Sequence, residues 1–260
     1  VDLFTQPVGG FQQVSTQTKG AVDTNQTGPF PVNTVVGGYR DMSIKKLDDT
    51  TGSVNLGAAT MTVDSGFLSY SNDAGVTSTG VITWDGANAA GDLGASALGT
   101  GFGGVGVDFT AGGSANQFFA DVISADLGFN YKITVWDMDG DKSVLSAGVQ
   151  FQVNSVVSSH YLFDWFNLAT GTYCDGVLAP PACTNPATQL DFSIVRTGGL
   201  IDFSRIGALQ LTLEGARADV DLSLGTIETN RVPEPGALAL VGIAMLGLGA
   251  ASRRNRNTKA

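Results

Sequence analysis

Before residue 236 the chain alternates. Segments with apolar side chains at every second position recur, each closed by Gly, Asn, Asp or Ser, and helical periodicity is nearly absent. In residues 129–136, Phe129, Tyr131, Ile133 and Val135 share one side, while Asn130, Lys132 and Thr134 share the other. Residues 149–153, 190–194 and 209–213 repeat the pattern, as do residues 220–224, continuing toward Ile227. Successive side chains of a strand point to opposite faces, so each segment reads as a strand with one face for a core and one for water. Such faces are buried by stacking antiparallel sheets on each other. Further candidate strands lie near residues 35–47, 53–63, 67–71, 81–84, 105–109 and 118–123. About eleven strands in one domain favour an all-β, jelly-roll-like sandwich over an immunoglobulin-like one.

Composition agrees. The chain holds 35 glycines among 260 residues, and only 15% of residues are charged, as in a turn-rich β protein rather than a helical enzyme. Two stretches are irregular. Residues 85–104 are rich in Gly and Ala and predict a long exposed loop, with room for a short helix over 87–98. Residues 170–188 predict a surface excursion carrying Cys174, Cys183 and three prolines. In an oxidising compartment the two cysteines are expected to form a disulfide, worth roughly 2.5–3 kcal/mol for a loop of about ten residues. One Cys pair without nearby histidines is an incomplete zinc set.

Charge narrows the partners. The formal net charge is −10, and the tail after Arg231 carries +3 of its own, which leaves −13 on the rest. Such a surface repels nucleic acid and anionic lipid and suits divalent cations and neutral polymers.

Three runs carry candidate chemistry. Asp137, Asp139 and Asp141 alternate around Gly140 and read in two ways: as ligands converging on Ca2+, or as a hairpin turn between two strong strands. The run His160-Tyr161-Leu162-Phe163-Asp164-Trp165-Phe166 offers aromatics for sugar faces, or a strand that buries Tyr161, Phe163 and Trp165. Val36-Gly37-Gly38-Tyr39-Arg40-Asp41 places a guanidinium in a site, or makes a bulge beside an Arg40–Asp41 ion pair. Catalytic sets are poorly represented. The chain has a single histidine, His160, and no Gly-x-Ser-x-Gly elbow. Glu214 and Glu228 are the only glutamates before the tail, and carboxylate separations are not readable from sequence. Gly99–Gly104 lacks the Lys-Ser/Thr ending of a phosphate loop.

The C-terminus is built in three parts. Pro233-Glu234-Pro235 is followed by the uncharged run 236–251, and then by Arg253, Arg254 and Arg256. As a helix the run covers roughly 24 Å, a little short of the ~30 Å hydrocarbon core, and the arginines hold its end on the cytoplasmic side. This predicts a single C-terminal transmembrane helix with residues 1–232 outside the membrane. The three parts, beginning at Val232, resemble the PEP-CTERM sorting signal of Gram-negative bacteria. The resemblance covers about a tenth of the chain, with a short apolar run and extra residues after the arginines. It implies recognition by an exosortase that cuts near the tripeptide, and a producer that makes exopolysaccharide. It also implies passage through an inner-membrane intermediate to the cell surface or biofilm matrix. The chain opens Val1-Asp2-Leu3-Phe4 without a basic or long apolar stretch, so an export signal is expected to have been removed before this numbering begins.

The sequence therefore predicts an exported, non-enzymatic β-sandwich over 1–232 and a sorting tail over 233–260, with a structural or exopolysaccharide-associated role. A calcium-assisted carbohydrate-binding module is the alternative, and a secreted polysaccharide hydrolase ranks last.

Overall fold

The structure is a computed structural model. It describes residues 2–4, 10–31, 34–50, 57–87, 101–149, 156–175, 177–178, 191–215 and 219–230. The sorting tail, the 88–100 segment and Cys183 lie outside these residues.

The strands are, in chain order, β1 (Gln12–Thr16), β2 (Val22–Thr27), β3 (Arg40–Asp49), β4 (Ala59–Asp64) and β5 (Phe67–Asn72). They continue as β6 (Val76–Trp84), β7 (Gln117–Ala125), β8 (Phe129–Asp137), β9 (Lys142–Val149) and β10 (Val157–Leu162). A single helical turn, α1 (Phe163–Phe166), precedes β11 (Gly171–Cys174), β12 (Val177–Leu178), β13 (Asp191–Thr197), β14 (Ile206–Gly215) and β15 (Asp221–Asn230). They form two antiparallel sheets, one of six strands ordered β1-β4-β5-β15-β7-β10, the other of nine ordered β12-β11-β13-β9-β8-β14-β6-β3-β2. The expected all-β sandwich is the architecture of the described residues. No helix among the described residues is long and apolar enough to cross a membrane; the predicted transmembrane helix lies outside them.

Alternation positions the core. Leu209 and Leu213 of β14, Val135 of β8, Leu145 of β9 and Ile82 of β6 turn inward from the larger sheet. Met61, Leu68, Tyr70, Phe118, Leu222 and Leu224 meet them from the smaller one. Tyr131 and Tyr161 join the sheets through a hydrogen bond of 2.7 Å between their hydroxyls. Burial pushes both phenols above their ordinary value of 10.0. Beside them an apolar cavity of about 50 Å³ is lined by Phe118, Ala120, Phe129, Leu211 and Ile227 among others. It lies where β15 bulges against β7 between Leu224 and Ile227.

Several expectations are corrected. Residues 105–109 contribute only one bridge, Val107 to Ile206, rather than a strand. Strand β9 runs over Lys142–Val149, and of the strand expected over 149–153 all but Val149 lies outside the described residues. The 170–188 excursion contains β11 and β12, which extend the larger sheet, and Tyr173 there is buried. Asp85 and Gly86, expected to open an exposed loop, are buried.

Candidate functional site

The acidic run closes the β8–β9 hairpin. Gly140 adopts φ 85°, a left-handed conformation that glycine enters without steric cost, and its N–H donates to Asp137 O at 3.2 Å. The Asp137 carboxylate is buried, and Oδ1 accepts the N–H groups of Asp139 and Asp141, both at 3.0 Å. Its Oδ2 accepts Asp202 N–H at 3.1 Å. Asp141 Oδ1 accepts Gly199 N–H at 2.7 Å, so close that a Cβ on Gly198 would lie 2.1 Å from that oxygen. Asp139, at the exposed tip, lies 3.6 Å from Arg205 Nη1. The structure thus brings Asp137, Asp139 and Asp141 to one turn, in the hairpin arrangement. Two of the three carboxylates fasten the 198–205 loop to it through backbone amides. Among the described residues there is no group of three or more His, Cys, Asp or Glu that could hold a metal ion.

Arg40 sits in a buried polar cluster. Gly37 and Gly38 lie in a 3-10 turn, Val36–Gly38, with φ 70° and 74°. A Cβ on Gly37 would lie 2.3 Å from the Phe102 ring, so glycine is required there. The turn delivers Arg40 into the interior, fully buried. Its Nε donates to Asp2 Oδ2 at 2.6 Å and Nη2 to Asp2 Oδ1 at 2.7 Å, a bidentate pair, and Nη1 reaches Gln12 Oε1 at 3.1 Å. Trp84 Nε1 donates to the same Asp2 carboxylate at 2.8 Å, and the Phe4 and Phe30 rings flank the guanidinium at 5.6 and 5.1 Å. The expected Arg40–Asp41 pair is therefore replaced by Arg40–Asp2, because adjacent strand residues point to opposite faces. The bulge in β3 falls instead between Lys46 and Asp48. Asp2, Gln12 and Trp84 carry no signal in sequence, being 38, 28 and 82 residues apart from their partners. Buried Lys46 likewise reaches Gln17 O and Gly57 O, 29 and 11 residues away, as well as nearby Asp49 Oδ2, all within 2.8 Å.

The aromatic run does not stay a strand. β10 ends at Leu162, and α1 turns Phe163 and Phe166 together onto Phe118 and Phe203, with Phe163 stacked on Phe203 at 4.2 Å. Trp165 stacks on Phe192 at 4.8 Å. These rings fill the core rather than offer a sugar platform. His160 is exposed on β10 with its ring 5.0 Å from that of Phe119. Cys174 ends β11, paired in register with Val177 and Asp191. Pro233, Glu234, Pro235, Arg253, Arg254 and Arg256 lie outside the described residues, as do Gly99 and Thr100, while Gly101–Gly104 form a 3-10 turn.

The family model described as the PEP-CTERM protein-sorting motif matches residues 231–254. No curated protein matches the chain. Among solved structures, an exo-beta-agarase is similar at 16% identity and TM-score 0.39, covering 74% of this chain and 22% of its own. PfGH50B is similar at 11% identity and TM-score 0.40, covering 68% and 22%. The chain thus spans about a fifth of the length of both. A family 11 carbohydrate-binding module from Clostridium thermocellum, in complex with a beta-1,3-1,4-mixed-linked tetrasaccharide, is similar at 12% identity and TM-score 0.32, covering 86% and 96%.

Proposed function

We propose that this chain, which carries the PEP-CTERM protein-sorting motif over residues 231–254, is an exosortase substrate delivered to the cell surface or biofilm matrix, where its sandwich acts as a structural or exopolysaccharide-associated protein without enzymatic activity. The motif is the observation that carries the reading. Export and surface sorting follow from it. The finer steps are ours. The apolar run 236–251 enters the inner membrane, Arg253, Arg254 and Arg256 stop it there, and cleavage near Pro233–Glu234–Pro235 frees or transfers the domain. The non-enzymatic role is supported by the single histidine, His160, lying exposed on a strand, and by carboxylates spent on fastening loops. In the oxidising exterior Cys174 and Cys183 form a disulfide. The test is the intact mass of protein recovered from producing cells. It is expected to end near residue 232, and retention of residues 236–260 on most of the mature protein overturns the reading.

Calcium-assisted carbohydrate binding through Asp137, Asp139 and Asp141 is the second reading. It requires Asp137 and Asp141 to exchange backbone amides for the ion, and Asp139 to leave Arg205. A glycan array run with and without chelator separates the two, since sugar binding lost on chelation belongs only to the second.

A further inference from the structure

We infer that the outer face of the six-stranded sheet is a docking face for a neutral, hydroxyl-rich polysaccharide, an inference that rests on the matrix reading above and gives it a surface. Register builds this face. Gln13 of β1 stands opposite Thr62 of β4, Thr62 opposite Ser69 of β5, Ser69 opposite Ser223 of β15, and Ser223 opposite Ser124 of β7. A second row runs beside it through Ser15, Thr60 and Ser71, and ends at Asp221. At about 4.8 Å per strand the first row spans about 19 Å. Gln13, Ser15, Ser69 and Ser124 are exposed, and Thr60, Thr62, Ser71 and Ser223 are half-buried. Phe67, 44% exposed, projects from β5 on the same side two residues from Ser69 and supplies an apolar ring beside the hydroxyls.

The chemistry of this face selects its partner. Each hydroxyl both donates and accepts, as a sugar hydroxyl does, and short side chains lose little rotamer freedom when fixed. Ser15 and Thr60 bond each other at 3.0 Å, while Thr62, Ser69, Ser71, Ser124 and Ser223 direct their hydroxyls to no other described residue. Apart from Asp221 at the end of the second row, none of the row residues named is charged, although residues 1–231 carry net −13. Asp64, Asp121, Asp221 and Glu228 border the rows, which disfavours a polyanion. A second copy of the chain fits less well, because a stable interface needs an apolar centre that two hydroxyl rows do not provide. A single hydroxyl contributes only about two- to tenfold in affinity, so an extended polymer that meets both rows is held by repetition, and short oligosaccharides are held weakly.

The experiment is co-sedimentation of the full chain in detergent with agarose and cellulose as neutral polymers and alginate as an anionic one. The unaltered protein is expected to sediment with at least one neutral polymer and not with alginate. Ser69→Glu/Ser223→Glu is expected to weaken that binding at least tenfold, while Thr212→Glu, on the outer face of the other sheet, leaves it unchanged. Ser69→Ala/Ser223→Ala adds neither charge nor bulk and is expected to weaken it severalfold, which keeps the test valid if the glutamate variant does not fold. Binding that survives both double variants, a preference for alginate, no polymer binding at all, or variants that only dissociate a dimer each overturn the inference. Tail cleavage is read separately by mass, so correct processing without polymer binding defeats this inference and leaves the sorting reading standing.

Discussion

Arg40 carries its charge into the buried interior, and its stability rests on Asp2 taking both ends of the guanidinium. A buried pair of this kind adds little over a well-packed apolar substitute, yet breaking it from one side strands the other charge. Arg40→Met is therefore expected to destabilise the fold by about 3–5 kcal/mol, read as a lower denaturant midpoint, while Arg40→Met/Asp2→Leu recovers part of that loss. A double variant no better than the single one would refute the pairing. The Gly-Gly-x-Arg-Asp run pointed to a special Arg40, and the glycines are needed for the reason a sequence suggests, a left-handed turn. Its partner was invisible, since Asp2 is tied to Arg40 by folding and not by spacing. The acidic run likewise announced its turn at Gly140, while the amides of Asp202 and Gly199 that occupy its oxygens come from a loop some sixty residues away.

Strands were legible where one face meets the core and the other meets water. β8, β13, β14 and β15 lie where alternation placed them, for this reason. β1 and β2 were missed because their sequences, Gln-Gln-Val-Ser-Thr and Val-Asp-Thr-Asn-Gln-Thr, are largely polar. β11 and β12 were hidden by shortness and by neighbouring prolines. α1 misled for the opposite reason: Tyr161, Phe163 and Trp165 alternate, but Phe163 and Phe166 pack together on Phe118, and a three-residue spacing shares a face only in a helical turn. Between elements, the Tyr131–Tyr161 link predicts a pH dependence. Both phenols bind their protons more tightly folded than unfolded, so their contribution is intact below pH 10.0 and declines as pH rises above it. Thermal melts from pH 8 upward are expected to show an alkaline loss of stability that is smaller in Tyr131→Phe/Tyr161→Phe. An unchanged alkaline limb in the variant would remove these tyrosines as its cause.

At the scale of the whole chain, charge reports processing. The tail carries +3, so cleavage near residue 232 shifts the formal net charge from −10 to −13. The mature protein is expected to focus at a more acidic point than the precursor, and a producer lacking exosortase should accumulate only the less acidic form.

The sequence by itself determined the all-β class and the sorting tail, because each is written in local order: a period of two, and a tripeptide before an apolar run. Only the tertiary structure decided that Asp2 answers Arg40, that the acidic run fastens a distant loop, and that hydroxyls from five strands line up as rows. Those arrangements depend on register between strands remote in sequence, which is set when two sheets pack their apolar faces together and which no single segment contains.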